Sequence, residues 1–235
     1  MQLIIGSQVK LIDGTIEKIF PYGEVLQLLS KFKNICIDIQ WNVNVPSRDK
    51  CKIIENQETI NIKNFKARDF QQDCINKFTR TTLTGYIYAP TGSGKTNIAA
   101  YLIAKRNIRT LFIVPKYDLV KQTKKRFQDI LDIDPAMIGE LSAHKKEFGA
   151  PILITTWQSL NKEATLQRVK EDKYSQIICD EMHKASADVY YDVVSSIPAM
   201  YKHGLTATPY RNNIKNEQRL YDLVGNEIAS VDILD

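Results

Sequence analysis

The feature that most constrains this chain is the octet Ala89-Pro90-Thr91-Gly92-Ser93-Gly94-Lys95-Thr96, which follows the apolar run Gly85 to Ala89 and opens a helical pattern. A strand that passes through a glycine-rich turn directly into a helix is the first half of a βαβ unit, and such units build parallel sheets. Small residues let successive backbone N–H groups curl around the β- and γ-phosphates of a nucleotide. The helix then presents its positive end, Lys95 adds a point charge, and the Thr96 hydroxyl can hold Mg²⁺. The strict G-x-x-x-x-G-K-[ST] pattern is broken at its first position, where Ala89 stands for glycine.

The rest of the chain after Phe65 has the texture that such a start demands. Short apolar runs at Gly85 to Ala89, Thr110 to Val114, Ile152 to Thr155, Gln176 to Cys179 and Gly204 to Thr206 are predicted strands. Helices are predicted at Arg68 to Arg80, Lys95 to Lys105, Asp118 to Ile130, Gln158 to Lys170 and Ala187 to Ser195. Leu111-Phe112-Ile113-Val114 and Ile177-Ile178-Cys179 are apolar without interruption, as strands covered on both faces must be. The predicted fold class is α/β, a doubly wound parallel sheet. Residues 1–64 read as a small α+β unit: a hairpin about Asp13-Gly14, a helix carrying Val25, Leu28, Leu29 and Phe32, a strand at Ile35 to Ile39, and a polar linker from Asn42 to Asn64 in which Ile53-Ile54 and Ile60 to Ile62 are candidate short strands.

Composition narrows the classes. Of 235 residues, 43% are hydrophobic and 25% charged, an ordinary globular balance that argues against disorder. No apolar run is long enough to cross a membrane and the opening segment is too short for a secretory signal, so a cytoplasmic protein is expected, or one of the host cytoplasm if the chain is viral. Cys36, Cys51, Cys74 and Cys179 are scattered without a C-x-x-C pair, which argues against a disulfide framework or a zinc knuckle. The net charge is only +5, but Lys116, Lys121, Lys124, Lys125 and Arg126 cluster around Asp118 alone. Such a cluster meets a phosphate backbone or is simply a solvated helix face.

Two further segments carry chemistry. Asp180-Glu181-Met182-His183 follows a buried strand, so its carboxylates reach the crevice where open α/β sheets bind nucleotides. Asp180 is suited to the Mg²⁺ shell and Glu181 to polarising the water that attacks a γ-phosphate. His144 and His203 form no ligand spacing with His183, which argues against a metal site there. Gly204-Leu205-Thr206-Ala207-Thr208-Pro209-Tyr210-Arg211 closes the next strand with two hydroxyls around an alanine.

In this order, the three segments resemble motifs I, II and III of superfamily 2 helicases of the DExH type, over roughly residues 65 to 230. The resemblance implies a RecA-like P-loop NTPase lobe at 65–235, preceded by the accessory unit at 1–64, with ATP and Mg²⁺ as cofactors. It implies that Phe70 and Gln71 frame and read adenine. It also implies that Pro115, Lys116, Thr155, Thr156 and Arg211 contact nucleic acid, and that His183, Thr206 and Thr208 couple nucleotide state to that grip. Trp157 is read either as a base-stacking ring or as core. Within the superfamily, the Arg-x-Phe-Gln entry, the DExH box and Thr-Ala-Thr-Pro-x-Arg are most similar to the UvsW, RadD and XPB-like branch of DNA translocases. The leading unit resembles the amino-terminal domain of UvsW.

The partners implied are branched or duplex DNA and a second RecA-like lobe, with no membrane. No Q-x-x-G-R-x-x-R-like segment occurs in the chain. The transition-state arginine, worth roughly 10³ to 10⁵ in rate, is therefore expected from elsewhere, and slow hydrolysis with little stimulation by DNA and no unwinding is expected of this polypeptide alone. Two other readings use the same residues: an RNA helicase or restriction-system translocase subunit, and a non-motor DNA-binding module switched by ATP.

Overall fold

The structure is a computed structural model that describes residues 2–5, 9–13, 16–20, 38–41, 53–63, 66–78, 83–183, 188–208, 223–225 and 227–231, the first four stretches by backbone alone. Those four form a sheet of β1 (Gln2–Ile5), β2 (Val9–Asp13), β3 (Ile16–Phe20) and β4 (Asp38–Trp41), in the order β3-β2-β1-β4. The expected hairpin is present, with Asp13 opposite Ile16, and β4 joins β1 in parallel. The helix expected around Val25 to Phe32, and Cys36 and Cys51, lie outside the described residues.

The stretch expected as a linker is built into the larger unit. β5 (Asn61–Ile62) pairs with a short strand further on, Ile60 is 2% exposed within the core, and the Ile54 and Asn56 backbones bond to Arg109, Ser175 and Asn107. Of the two candidate short strands, the one at Ile60 to Ile62 is present as β5; the rest of the segment is held mainly by backbone hydrogen bonds, with Ile60 as its apolar anchor.

The larger sheet comprises β6 (Thr84–Tyr88), β7 (Thr110–Val114), β9 (Ile138–Leu141), β10 (Ile152–Thr156), β11 (Gln176–Cys179), β12 (Tyr201–Thr206) and β13 (Glu227–Ser230). β8 (Leu131–Asp132) is the partner of β5. All seven strands are parallel, in the order β13-β6-β12-β11-β7-β10-β9. Among the described residues, the covering helices are α1 (Asp69–Lys77), α2 (Lys95–Arg106), α3 (Tyr117–Ile130), α4 (Trp157–Leu160), α5 (Glu163–Asp172) and α6 (Asp188–Ser195).

Alternation along each strand divides the core in two. Ile87, Phe112, Val114 and Ile178 pack with residues of α1, α2 and α3, whereas Tyr86, Leu111, Ile113, Ile177 and Cys179 pack with residues of α4, α5 and α6. Burying each such Leu, Ile or Phe stabilises the fold by about 1.5–3 kcal/mol relative to exposure. Parallel strands fed by helices on both faces bring every strand's carboxyl end to one rim. The single helix expected at Gln158 to Lys170 is broken at Asn161, the C-cap of α4, and restarts after Lys162.

Candidate functional site

The segments singled out in the sequence converge on that rim. The glycine-rich turn follows β6, Thr206 ends β12, Asp180 follows β11, Lys116 follows β7 and Thr156 ends β10, so five adjacent strands contribute.

Gly94 is the N-cap of α2 in the left-handed region, φ 84° and ψ 39°, and Gly92 also has φ 84°. Here glycine is required twice over at Gly94. A side chain would be strained, and a Cβ would stand 2.5 Å from Gln71 Nε2. Ala89 shows why the first position of the pattern departs from glycine. Its φ is not positive, its N–H donates to Thr206 O at 2.8 Å, and its carbonyl accepts from Lys95 Nζ at 3.0 Å, none of which needs a missing Cβ.

Lys95 is 8% exposed and lies along the turn, with Nζ also 3.4 Å from Pro90 O and 3.6 Å from Glu181 Oε1. Thr96, in the same first turn, is partly exposed. Asp180 is anchored by its N–H to Ile113 O at 2.8 Å and accepts the Glu181 N–H on Oδ1 at 3.0 Å. Glu181 has φ 49°, a conformation that L residues with long side chains rarely adopt. Its Oε2 is buried without a well-aligned hydrogen bond, 3.3 Å from His183 Nδ1. The same Nδ1 is 3.2 Å from Thr206 Oγ1, which accepts the Thr208 N–H at 3.2 Å. Lys95, Glu181, His183, Thr206 and Thr208 therefore form one continuous polar chain across β6, β12 and β11.

The donor set suits a nucleoside triphosphate with its magnesium. Two buried side-chain oxygens on this rim, Ser93 Oγ and Glu181 Oε2, have no hydrogen-bond partner, and space is open above Gly92. Thr91 and Gly92 are exposed at the turn, while Pro90 and Ser93 are partly buried.

Gln71 is 1% exposed and donates to Ser93 O at 2.8 Å while accepting the Arg68 N–H at 3.0 Å. Its amide is thereby engaged with the phosphate turn and with Arg68, whereas the resemblance assigned it to the adenine edge. Arg68, missed as a site residue, makes the same contact, donating to Ser93 O at 2.6 Å, and its guanidinium lies 4.7 Å from the centre of the Phe70 ring. Its place three residues ahead of Gln71, whose side-chain oxygen accepts the Arg68 N–H, was the available signal.

The residues assigned to nucleic acid fare unevenly. Lys116 is exposed, but Pro115 is buried. Thr155 is fully buried and its hydroxyl donates to Leu141 O at 3.0 Å, so its side chain is structural and offers no exposed oxygen. Thr156 is 5% exposed and caps α4, accepting the Ser159 N–H at 3.3 Å. Trp157 is partly buried and stacks on Tyr190 at 6.0 Å. Arg211, with Pro209 and Tyr210, lies outside the described residues.

Comparison with known proteins identifies the lineage. Residues 64–211 match the family ResIII, described as the type III restriction enzyme res subunit. The chain belongs to this family. It is 32% identical over 154 residues to the DNA 3'-5' translocase XPB2 of Sulfurisphaera tokodaii, covering 65% of this chain and 33% of that protein. It is 25% identical over 203 residues to the DNA 3'-5' helicase XPB of Mycobacterium tuberculosis, covering 83% of this chain and 36% of that one. The chain thus spans about a third of the length of these curated relatives.

Among solved structures, the UvsW helicase of bacteriophage T4 aligns with TM-score 0.62 at 20% identity, over 93% of this chain and 81% of the other. The SWI2/SNF2 ATPase core of Sulfolobus solfataricus, solved with double-stranded DNA, aligns with TM-score 0.59 at 20% identity over 72% and 37%. The family match and these folds make the larger unit a RecA-like lobe of a superfamily 2 helicase. Among the described residues no helix is long and apolar enough to cross a membrane.

Proposed function

We propose that this chain is the ATP-binding lobe of an ATP-driven DNA translocase or helicase that acts on branched or duplex DNA. The observation that carries the reading is the polar chain from Lys95 through Glu181 and His183 to Thr206 and Thr208, which joins the phosphate turn to the strand end beside it. In this reading Lys95 and the turn amides hold the phosphates, Thr96 and Asp180 hold the magnesium, and Glu181 orients and deprotonates the attacking water. The metal supplies charge neutralisation between the β- and γ-phosphates. A group touching Glu181 also shifts His183 and Thr206, so nucleotide state reaches the nucleic-acid side of the rim without a long lever.

A second RecA-like lobe, in the same or another polypeptide, completes the cleft in this proposal and supplies the transition-state arginine. The reading places the protein in the cytoplasm. The family's description favours one other motor, the translocating subunit of a restriction system, which would use the same residues on DNA. Measuring ATP hydrolysis with forked DNA, linear duplex DNA and duplex RNA tests the reading, together with a second lobe once one is identified. Stimulation by branched or duplex DNA is the expected result, and stimulation by RNA alone overturns it.

A further inference from the structure

Gly204 is buried near the carboxyl end of β12, and its φ is not positive, so no backbone demand explains the glycine. The reason is space. In the register of the sheet Ile113 of β7, Cys179 of β11, Gly204 of β12 and Tyr86 of β6 stand side by side, and the three that carry side chains belong to the core under α4, α5 and α6. A Cβ at Gly204 would collide with Met182 Sδ and would stand 3.1 Å from both Met182 Cγ and Tyr86 Cβ. The methionine therefore fills the gap that the glycine leaves in the row, and it is 1% exposed there.

Met182 reaches this gap from the end of the neighbouring strand. The backbone is fixed as far as Asp180, whose N–H donates to Ile113 O at 2.8 Å, and it takes the left-handed conformation at Glu181, with φ 49°. The next residue is then packed against β12. On either side of Met182 in sequence are the polar groups of the rim. Glu181 Oε1 lies 3.6 Å from Lys95 Nζ, and His183 Nδ1 lies 3.3 Å from Glu181 Oε2 and 3.2 Å from Thr206 Oγ1. Thr206 stands two residues beyond Gly204 on the same strand. One apolar contact thus sits between two polar side chains and faces the strand whose hydroxyl the second of them meets. In a close-packed interior a displaced methionine carries its backbone with it, and Tyr86 Cβ on the other side has no rotation by which to give way.

We propose that Met182 and Gly204 are positioning residues for ATP hydrolysis: the methionine, seated in the gap at Gly204, sets Glu181 and His183 in place against Thr206. The inference rests on the reading of Glu181 as the group that orients the attacking water. The seat governs only the residues that follow Asp180. Asp180 itself is held by Ile113 O, and Lys95 by the Ala89 carbonyl, through contacts that do not involve Met182. Loss of the seat should therefore slow the chemical step and spare ATP-Mg²⁺ binding. Methionine, unbranched and adaptable, suits a gap of this kind.

The test compares Met182→Ala, Gly204→Ala and the double variant in the full chain, by single-turnover ATP hydrolysis and by calorimetry of ATP-Mg²⁺ below each melting temperature. Met182→Ala should slow hydrolysis by about 10- to 100-fold, the loss that a misplacement of about 1 Å causes, with affinity held within about twofold. Gly204→Ala should show the same split. The double variant, in which the alanine methyl occupies room left by the shortened side chain, should hydrolyse ATP faster than Gly204→Ala. Should Gly204→Ala not fold, Met182→Ala carries the test, since a shortened side chain cannot collide. A readout independent of turnover is the Nδ1 nitrogen shift of His183 in the nucleotide-free chain, which reads its contacts with Glu181 and Thr206. It should move in Met182→Ala while that of His144 stays. A wild-type rate in Met182→Ala, rate and affinity falling together, a double variant no faster than Gly204→Ala, or an unmoved His183 signal each overturns the seat. Glu181→Gln hydrolysing ATP at the wild-type rate would instead overturn the reading of Glu181, and the seat's part in hydrolysis with it.

Discussion

The two rims of the large sheet hold similar chemistry put to opposite use. At the carboxyl ends, Lys95, Asp180, Glu181 and His183 line an open turn in which two glycines and Glu181 sit at positive φ. At the amino ends, Arg106 donates to Gln176 Oε1 at 2.9 Å, touches His203 Nε2, and lies 4.1 Å from the centre of the Tyr201 ring, with Phe78 edge-on to His203 at 4.8 Å. Residues 54–60 run across this end, bonded to Asn107, Arg109 and Ser175. Polar groups closed off by aromatic rings and a strap of backbone fix the fold, whereas polar groups around a strained, open turn are placed to receive a charged ligand.

Arg106→Ala is the sharpest way to break this contrast and carries the largest expected effect. It removes a charged hydrogen bond and a cation–π contact from a mostly buried position, which together are worth about 3–4 kcal/mol. Thermal unfolding should drop by about 10 °C. ATP-Mg²⁺ affinity, measured below the lowered melting temperature, should not change. A variant that melts normally but loses nucleotide would reverse the roles assigned to the two rims.

Lys95→Ala tests the other side. Losing the ammonium from the phosphate turn should weaken ATP-Mg²⁺ binding by about 100-fold, or roughly 2.7 kcal/mol, in isothermal calorimetry. Stability should change little, since Lys95 Nζ contacts only two carbonyls and one carboxylate. Equal affinity in the variant would detach the phosphate turn from nucleotide binding altogether.

Legibility differed between the rims for the same reason. Functional groups at the carboxyl ends must follow their strands directly, so the strand, turn and helix leave contiguous patterns such as Gly92-Ser93-Gly94-Lys95 and Asp180-Glu181. The amino-end cluster draws Phe78, Arg106, Gln176 and the β12 pair Tyr201 and His203 from four separate places, and no local spacing connects those places. β9 and β13 were missed because each is four residues long at a sheet edge, β9 with Glu140 inside and β13 opening on Glu227, so neither shows a fully apolar run. Thr155 was assigned to nucleic acid because its position at a strand end is visible in sequence, while the carbonyl that takes its hydroxyl, Leu141 O, is 14 residues away.

The amino rim also predicts a pH effect. Burial first, and then the adjacent Arg106, hold His203 well below the ordinary histidine range, so the ring is neutral in the fold. An unfolded chain takes up a proton near pH 6.5 that the folded chain does not, and stability is therefore lost as pH falls below about 6.5. The slope for this one group approaches 1.4 kcal/mol per pH unit. Urea titrations at descending pH should show it, and His203→Gln should flatten it. An unchanged slope in that variant would assign the acid sensitivity to other groups.

The smallest expected effect bears on the carboxyl rim, where Glu181 combines a positive φ with the carboxylate between Lys95 and His183. A left-handed conformation costs an L residue about 1–2 kcal/mol, and glycine avoids that cost but gives back about 0.5–1 kcal/mol through its freer unfolded chain. Glu181→Gln removes the charge and keeps the backbone penalty, whereas Glu181→Gly removes both, so comparing them cancels the lost ion pair. The glycine variant should be the more stable of the two by about 0.5–1 kcal/mol in urea unfolding, while neither supports ATP hydrolysis. Strain retained at a position that glycine would relieve is intelligible only if the carboxylate is needed there. If the glutamine variant proves the more stable, the backbone at Glu181 is not under load, and the carboxyl rim loses the feature that most sets it apart from the amino rim.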